Sequence, residues 1–255
     1  MSEVKFNEFI AIVKRLRKEC PWDREQTNDS IKANTLEEAY EVVHAIDEGN
    51  YSELKKELGD LLLHVVFHTI MAEEKKEFTI DDVIDSITEK LIRRHPHVFG
   101  ETEVSGSSEV KKNWETIKLA EGRTSLLEGI PSDLPALLKA HRIQEKASKV
   151  GFDWSHKDEV WKKVTEEISE LHEAEEKGNK EKTEEEFGDL LFALANYSRF
   201  IHVNPEDALR KSTAKFIRRF RYIEDELRKK DIPLPEAGLK LMDELWEESK
   251  KKEVS

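Results

Sequence analysis

The chain contains itself twice. Residues 37–63 and 166–192 align at a constant offset of 129, with 11 identities over 27 positions. The pairs are Glu37/Glu166, Glu38/Glu167, Glu41/Glu170, Ala45/Ala174, Gly49/Gly178, Asn50/Asn179, Glu57/Glu186, Gly59/Gly188, Asp60/Asp189, Leu61/Leu190 and Leu62/Leu191. Further matches follow at slightly different offsets, as changes in loop length produce. Lys90, Arg93 and Arg94 match Lys215, Arg218 and Arg219, and Trp114 with Glu115 and Lys118 matches Trp246 with Glu247 and Lys250. A repeat on this scale fixes the architecture before any element is assigned: one folding unit of about 120 residues, used twice.

The unit is helical. Phe6, Phe9, Ile10, Val13 and Leu16 follow i, i+3, i+4 spacing. The same periodicity predicts helices over 29–48, 52–75, 79–93 and 108–120. In the second half it predicts helices near 135–149, 155–177, 181–202, 205–229 and 236–252. No strand pattern is present. Four of the ten Gly and two of the seven Pro fall between 100 and 135, which places a loop near 95–108 and a break near 121–134. The expected fold is all-α, with two tandem helical bundle domains, 1–121 and 135–255, joined by a linker over 122–134.

Composition then narrows the partners. The chain carries 42 Lys and Arg against 55 Asp and Glu, a formal charge of −13. That balance argues against direct nucleic-acid binding, which needs a basic face, and against an anionic membrane surface. The apolar stretch 61–72 is interrupted by His64, His68 and Thr69, and is too short for a span of about 20 residues. The N-terminal residues show no signal-peptide core. The lone cysteine, Cys20, rules out an internal disulfide framework. A cytoplasmic location is expected.

Five of the eleven repeated identities are carboxylates. On a helix, Glu37, Glu38 and Glu41 lie within an arc of about 100°. Glu57 and Asp60, at i, i+3, share a face, and a turn at Gly49-Asn50 folds the two helices antiparallel. Four or five carboxylates thus converge next to the apolar run that begins at Leu61. Like charges there repel and are costly to bury. A hard divalent cation resolves the conflict, since Mg²⁺ takes oxygen ligands and commonly bridges to substrate phosphates. An EExxE pattern alone is ordinarily a solvated helix face. Its recurrence with ExxD across a glycine turn, twice at one spacing, points to a metal site.

This ordered set resembles the MazG family of all-α nucleoside triphosphate pyrophosphohydrolases, in its tandem-domain form. The residues carrying the resemblance are Glu37-Glu38-x-x-Glu41 with Glu57-x-x-Asp60, and Glu166-Glu167-x-x-Glu170 with Glu186-x-x-Asp189. CPWD at 20–23, RRHPHVF at 93–99, VGFDW at 150–154 and the late WExxK add to it. The resemblance spans almost the whole chain. It implies Mg²⁺-dependent hydrolysis of NTPs and dNTPs to the monophosphate and pyrophosphate, with Mn²⁺ able to stand in for Mg²⁺. It also implies a homodimer.

By the same resemblance Glu167, Glu170, Glu186 and Asp189 hold the metal in the second repeat, and Glu38, Glu41, Glu57 and Asp60 in the first. Glu166 or Glu37 is a spare carboxylate for the proton of the attacking water. Lys163, Lys182, Lys215 and Arg219 would contact phosphate, and Trp246 would stack on the base, a contact that tolerates every nucleobase. Lys90, Arg94 and Trp114 are the first repeat's counterparts. Asn34 and Glu53 stand where the second repeat has Lys163 and Lys182, so the second repeat is expected to be the stronger catalyst.

Two rival readings stay open at this point: a narrow-specificity housecleaning (d)NTPase of the same fold, and a helical protein that binds nucleotide or a partner without turnover. Further hydrolysis of the released pyrophosphate is also open. His64 and His68 read as a helix flank rather than ligands. Neither GxxxxGK[ST] nor GxGxxG occurs, which leaves P-loop and Rossmann phosphate binding without support.

Overall fold

A computed structural model describes residues 2–121 and 125–253. Among them lie twelve α-helices and one short 3-10 turn, with no strand. The helices are α1 (Ser2–Glu19), α2 (Pro21–Glu25), α3 (Lys32–Asp47), α4 (Tyr51–Glu74), α5 (Ile80–Arg94), α6 (Pro96–Phe99) and α7 (Ser107–Ala120). They continue with α8 (Ala136–Ser148), α9 (Lys157–Glu176), α10 (Lys180–Phe200), α11 (Pro205–Lys229) and α12 (Gly238–Glu253). The chain divides into two compact units, 1–110 and 111–255. The linker expected over 122–134 includes 122–124, which lie outside the described residues.

The element that positions the site is a helical hairpin, built the same way in each unit. Gly49 and Gly178 sit at φ +63° and +66°, the left-handed conformation that ends a helix at little cost only for glycine. The Asn50 and Asn179 backbone N–H groups then reach back to Ala45 O at 3.0 Å and Ala174 O at 3.2 Å. Each Asn side chain caps the next helix, accepting from the Glu53 N–H in α4 and the Lys182 N–H in α10. One Gly-Asn pair therefore ends a helix, reverses the chain and starts the next. Because the pair recurs at the same spacing, the carboxylates of α3 and α4 face one another in the register used by α9 and α10.

Flanking helices cover the apolar sides. In the first unit α1 packs on α4, burying Val13, Ile31, Val66, Phe67, Ile70 and Met71. In the second, α8 packs on α10, while α11 and α12 bury Ile223, Leu227 and Leu245 between them.

Three local differences from the expectation have simple causes. The helix expected from residue 29 begins at Lys32, because Thr27 and Ser30 exchange hydroxyl-to-backbone bonds at 2.9 and 3.0 Å and hold a turn ahead of it. Pro21–Glu25 forms a short helix with proline at its first position, where a missing N–H costs nothing. Pro96 does the same inside the expected 95–108 loop, starting α6.

Candidate active site

In the second unit Glu167 on α9 and Glu186 on α10 are buried, at 4% and 3% exposure. With Asp189 they form a triad in which one carboxylate oxygen of each lies within 4.8 Å of the others. Two lysines from one turn earlier on the same helices neutralise it. Lys163 Nζ stands 2.7 Å from Glu167 and 2.8 Å from Glu166, and Lys182 Nζ stands 2.7 Å from Glu186 and 3.1 Å from Glu185. These bonds push both ammonium pKa values upward. Glu170 lies outside the triad; desolvation first, then the Glu186 and Glu167 charges, raise its pKa.

The second oxygen of Glu167, Oε2, is buried and has no hydrogen-bond partner. An ionised oxygen without a partner is expensive to bury. A cation bound among the three carboxylates removes that cost, and the all-oxygen donor set suits a hard divalent ion. The residues present therefore fit a metal.

Two cavities meet at the triad and share Lys163, Glu167 and Asp189. One is a polar trough of about 490 Å³ between α9 and α10, with Glu170, Lys177, Lys182 and Glu186 on its walls. The other, about 410 Å³, is mostly apolar and is lined by Phe152, Trp154, Val160 and Phe192, with Gln144, Asn196 and Arg199 as polar members. The carboxylates thus sit between a charged groove and an aromatic one. The second cavity escaped the sequence reading. VGFDW stood out as a motif, but nothing local told that it faced the triad, and Gln144 carried no sequence signal at all.

Lys215, Arg219 and Trp246 line neither cavity. Lys215 is exposed on α11. Trp246, on α12, packs against Phe216 at 5.3 Å between ring centroids, with the Arg219 guanidinium 5.5 Å over its ring. It also contacts the Ile223–Leu227–Leu245 core.

The first unit has the same carboxylates in a different balance. Its triad is Glu38, Glu41 and Glu57, again within 4.8 Å, while Asp60 is exposed beside it. With Asn34 and Glu53 at the lysine positions, neither cation has a counterpart. Burial first, then the charges of Glu41, Asp60 and Glu37, raise the Glu38 pKa. Glu57 is also pushed up, by desolvation and then by its hydrogen bond with Glu53. Glu53 thus opposes the charge that Lys182 supports.

The neighbouring cavity is smaller, about 260 Å³, and is lined by Val13, Leu16, Trp22, Ile31, Leu63 and Phe67, with His64 beside Glu38. The two histidines belong to a chain of polar contacts rather than to an open flank. Thr35 Oγ1 lies 2.9 Å from His64 Nδ1 and 2.8 Å from His68 Nε2, and Asn28 Nδ2 lies 3.0 Å from His68 Nδ1. His64 Nε2 stands 3.9 Å from Glu38. Lys90 and Arg94 are one turn apart on α5, and Trp114 is on α7; none of the three lines this cavity.

The profile of the MazG nucleotide pyrophosphohydrolase domain matches residues 26–99 and again 156–223, the two hairpins with their flanks. The chain is 48% identical over 252 residues to a Thermotoga maritima protein called nucleoside triphosphate pyrophosphohydrolase/pyrophosphatase MazG, covering 97% of this chain and 96% of that one. It is 42% identical over 259 residues to the nucleoside triphosphate pyrophosphohydrolase of Escherichia coli K12, covering 98% of each.

Proposed function

The chain belongs to the MazG nucleotide pyrophosphohydrolase family, and on that basis we propose that it hydrolyses NTPs and dNTPs to the monophosphate and pyrophosphate in its second unit, with Mg²⁺ and with broad base range. The observation that carries this reading is the lysine-bordered triad with its orphaned Glu167 oxygen, which the first unit lacks. Mn²⁺ is the expected substitute.

A divalent cation bound by Glu167, Glu170, Glu186 and Asp189 would neutralise phosphate charge and acidify a coordinated water. The chain's own residues supply the rest. Lys163 and Lys182 hold carboxylates at 2.7 Å in the resting site. They sit where they can turn to phosphate oxygens in the trough, giving charge-assisted bonds. Glu166, held by Lys163 at 2.8 Å, is the carboxylate we assign to accept the proton of the water attacking the α-phosphorus. In the first unit Glu38, Glu41, Glu57 and Asp60 are assigned as a metal site with fewer phosphate contacts, Glu37 as the spare carboxylate, and the unit as weaker or mainly structural.

Lys215, Arg219 and Trp246, with Lys90, Arg94 and Trp114 in the first repeat, line none of these cavities within one chain; they complete the proposal as phosphate and base contacts reached only when a homodimer brings its sites together. A second copy has apolar surface to cover, including Phe187, Leu191 and Leu194 on α10 and Ile217 on α11. The functional division follows the repeat, 1–121 and 135–255. No helix among the described residues is long and apolar enough to cross a membrane; a cytoplasmic location without direct nucleic-acid binding completes the reading.

The test is product analysis with all eight standard (d)NTPs, with and without Mg²⁺. Monophosphate and pyrophosphate should appear in equal amounts, from every base, and only with the metal. Orthophosphate as the first product would contradict attack at the α-phosphorus, and turnover of a single base would contradict the breadth.

A further inference from the structure

One wall of the aromatic cavity is the segment 151–156 between α8 and α9, which carries Phe152 and Trp154. It leaves α8 through Gly151 at φ +87°, a left-handed turn closed by the Phe152 N–H on the Ala147 carbonyl at 3.2 Å. Beyond that turn its apolar side chains give it little grip. Phe152 is 81% exposed and Trp154 43% exposed, so each contributes only part of what full burial would.

Asp153 supplies the tie. Its Oδ2 accepts from Arg199 Nη2 at 2.6 Å and its Oδ1 from Arg199 Nη1 at 3.3 Å. The same Oδ1 accepts the Trp154 N–H at 3.0 Å. Among the described residues this pair is the only ion pair or hydrogen bond that joins 151–156 to α10. The Arg199 side chain is 12% exposed and that of Asp153 25%, so the two-point contact is screened less than a surface pair. Arg199 Nη1 also donates to Asn196 Oδ1 at 2.5 Å. Asp189, Asn196 and Arg199 follow at i, i+7 and i+10 on one face of α10, and all three line the cavity. A chain of polar contacts thus runs from the Trp154 main chain to the helix that carries Asp189.

The first unit is built without this tie. At the constant offset, Arg199 and Asn196 correspond to Ile70 and Phe67, both buried in an apolar core. Its CPWD segment forms α2, held instead by Arg17 of α1 through the Asp23 and Gln26 carbonyls. The hairpin fold therefore does not require the pair, which accompanies the lysine-bordered triad alone. On the reading that the second unit is the catalytic one, we propose that Asp153 and Arg199 are positioning residues for its reaction. Their ion pair keeps 151–156 against α10, so the cavity wall stands beside Glu167 and Asp189 before substrate arrives. A substrate that contacts the wall binds the molecules that hold it in place, and its apparent affinity falls with the fraction that do. Once it is bound the same geometry is reached, so the loss falls on KM and spares kcat.

The experiment measures dATP turnover and backbone hydrogen exchange in Asp153→Asn, in Arg199→Met and in the double variant. Each single variant should raise KM about tenfold and leave kcat within about twofold. The double variant should be no worse than either single one, because the two residues act as one unit. Exchange of the amides at 152–156 should quicken in the free variants and return to the wild-type rate with Mg²⁺ and a saturating α,β-methylene dATP. A purely structural pair would lower the melting temperature without this split between KM and kcat. Should Arg199→Met fail to fold, Asp153→Asn decides alone, since it keeps the side chain's shape. An unchanged KM, an unchanged exchange rate at 152–156, or a loss carried by kcat would overturn the positioning role while leaving the catalytic assignment standing. Full activity in a parallel Glu170→Gln enzyme would instead overturn that assignment, and the pair's role in turnover with it.

Discussion

The two hairpins are alike in backbone and opposite in electrostatics. Both end a helix at a Gly-Asn turn, and both gather three carboxylates within 4.8 Å. In the second, Lys163 and Lys182 neutralise the two buried acids. In the first, Asn34 and Glu53 occupy those positions, and desolvation, with neighbouring acids adding to it, raises the pKa of Glu38 and Glu57. Even the aligned cavities diverge. The second has Asn196 and Arg199 where the first has Phe67 and Ile70, and the first is smaller, about 260 against 410 Å³. Duplication thus preserved the means of clustering carboxylates in both copies and the pair of neutralising lysines in one. A cluster of acids can hold a cation without lysines; a polyanionic substrate needs both.

The strongest way to break this contrast is to remove one equivalent carboxylate from each unit. Glu170→Gln should reduce turnover at least about a hundredfold, the effect of losing a metal ligand at the reacting phosphate. Glu41→Gln should leave turnover within about twofold, because the first unit is not the main catalyst. Steady-state hydrolysis of one dNTP, followed by monophosphate release, reads both. A dead Glu41→Gln enzyme beside an active Glu170→Gln enzyme would reverse the ranking.

The next effect is smaller and tests the lysines. Lys163→Met and Lys182→Met should each cost about 10- to 100-fold in kcat/KM, from a charge-assisted bond worth about 1.5–3 kcal/mol. The same idea runs in reverse in the first unit. Asn34→Lys with Glu53→Lys, placed in a Glu170→Gln background, should raise the residual hydrolysis severalfold. No gain would mean that the first unit lacks more than its two cations, and the apolar Phe67 in its cavity would then be the place to look.

The hairpins and their carboxylates were legible in the sequence because they depend on local rules. Helical spacing places Glu38 and Glu41 on one face, and a glycine followed by a capping Asn announces the turn. The loss of cations from the first repeat was also readable, since a constant offset names the counterpart of each lysine. The aromatic cavity was not, because it joins α8, α10 and the segment at 152–154, and no periodicity within one element reports a contact across three. Gln144 shows the limit well. It carried no sequence signal, and only the Phe192 carbonyl decides which end of its amide is free. The Thr35–His64–His68 chain was missed for a related reason: an i, i+4 histidine pair marks a helix face, and the Thr35 on another helix that joins them is invisible to that spacing.

The smallest prediction concerns an ion pair remote from both triads. Arg17 on α1 grips Glu74 on α4 through two bonds, at 2.9 and 2.8 Å, while its Nη1 donates to the Asp23 and Gln26 carbonyls. The hydrogen bond from Arg17 holds the Glu74 pKa below its ordinary value. A carboxyl lowered in the folded state adds stability above its unfolded pKa, near about 4.3, and that contribution fades as pH falls through the folded value. The Glu74 side chain is 47% exposed, so the contribution should be under about 1 kcal/mol. Glu74→Gln should therefore lower the melting temperature slightly at pH 7, and the difference between the two proteins should shrink as pH falls below the ordinary carboxylate range. Arg17 keeps its two carbonyls in either case, so the fold of α1 and α2 should survive. Turnover at pH 7 should be unchanged, because a unit that serves mainly as structure can lose a little stability without a catalytic cost. A drop in turnover larger than the melting shift explains would show that the first unit's packing reaches the reaction, and the division of labour between the two hairpins would have to be redrawn.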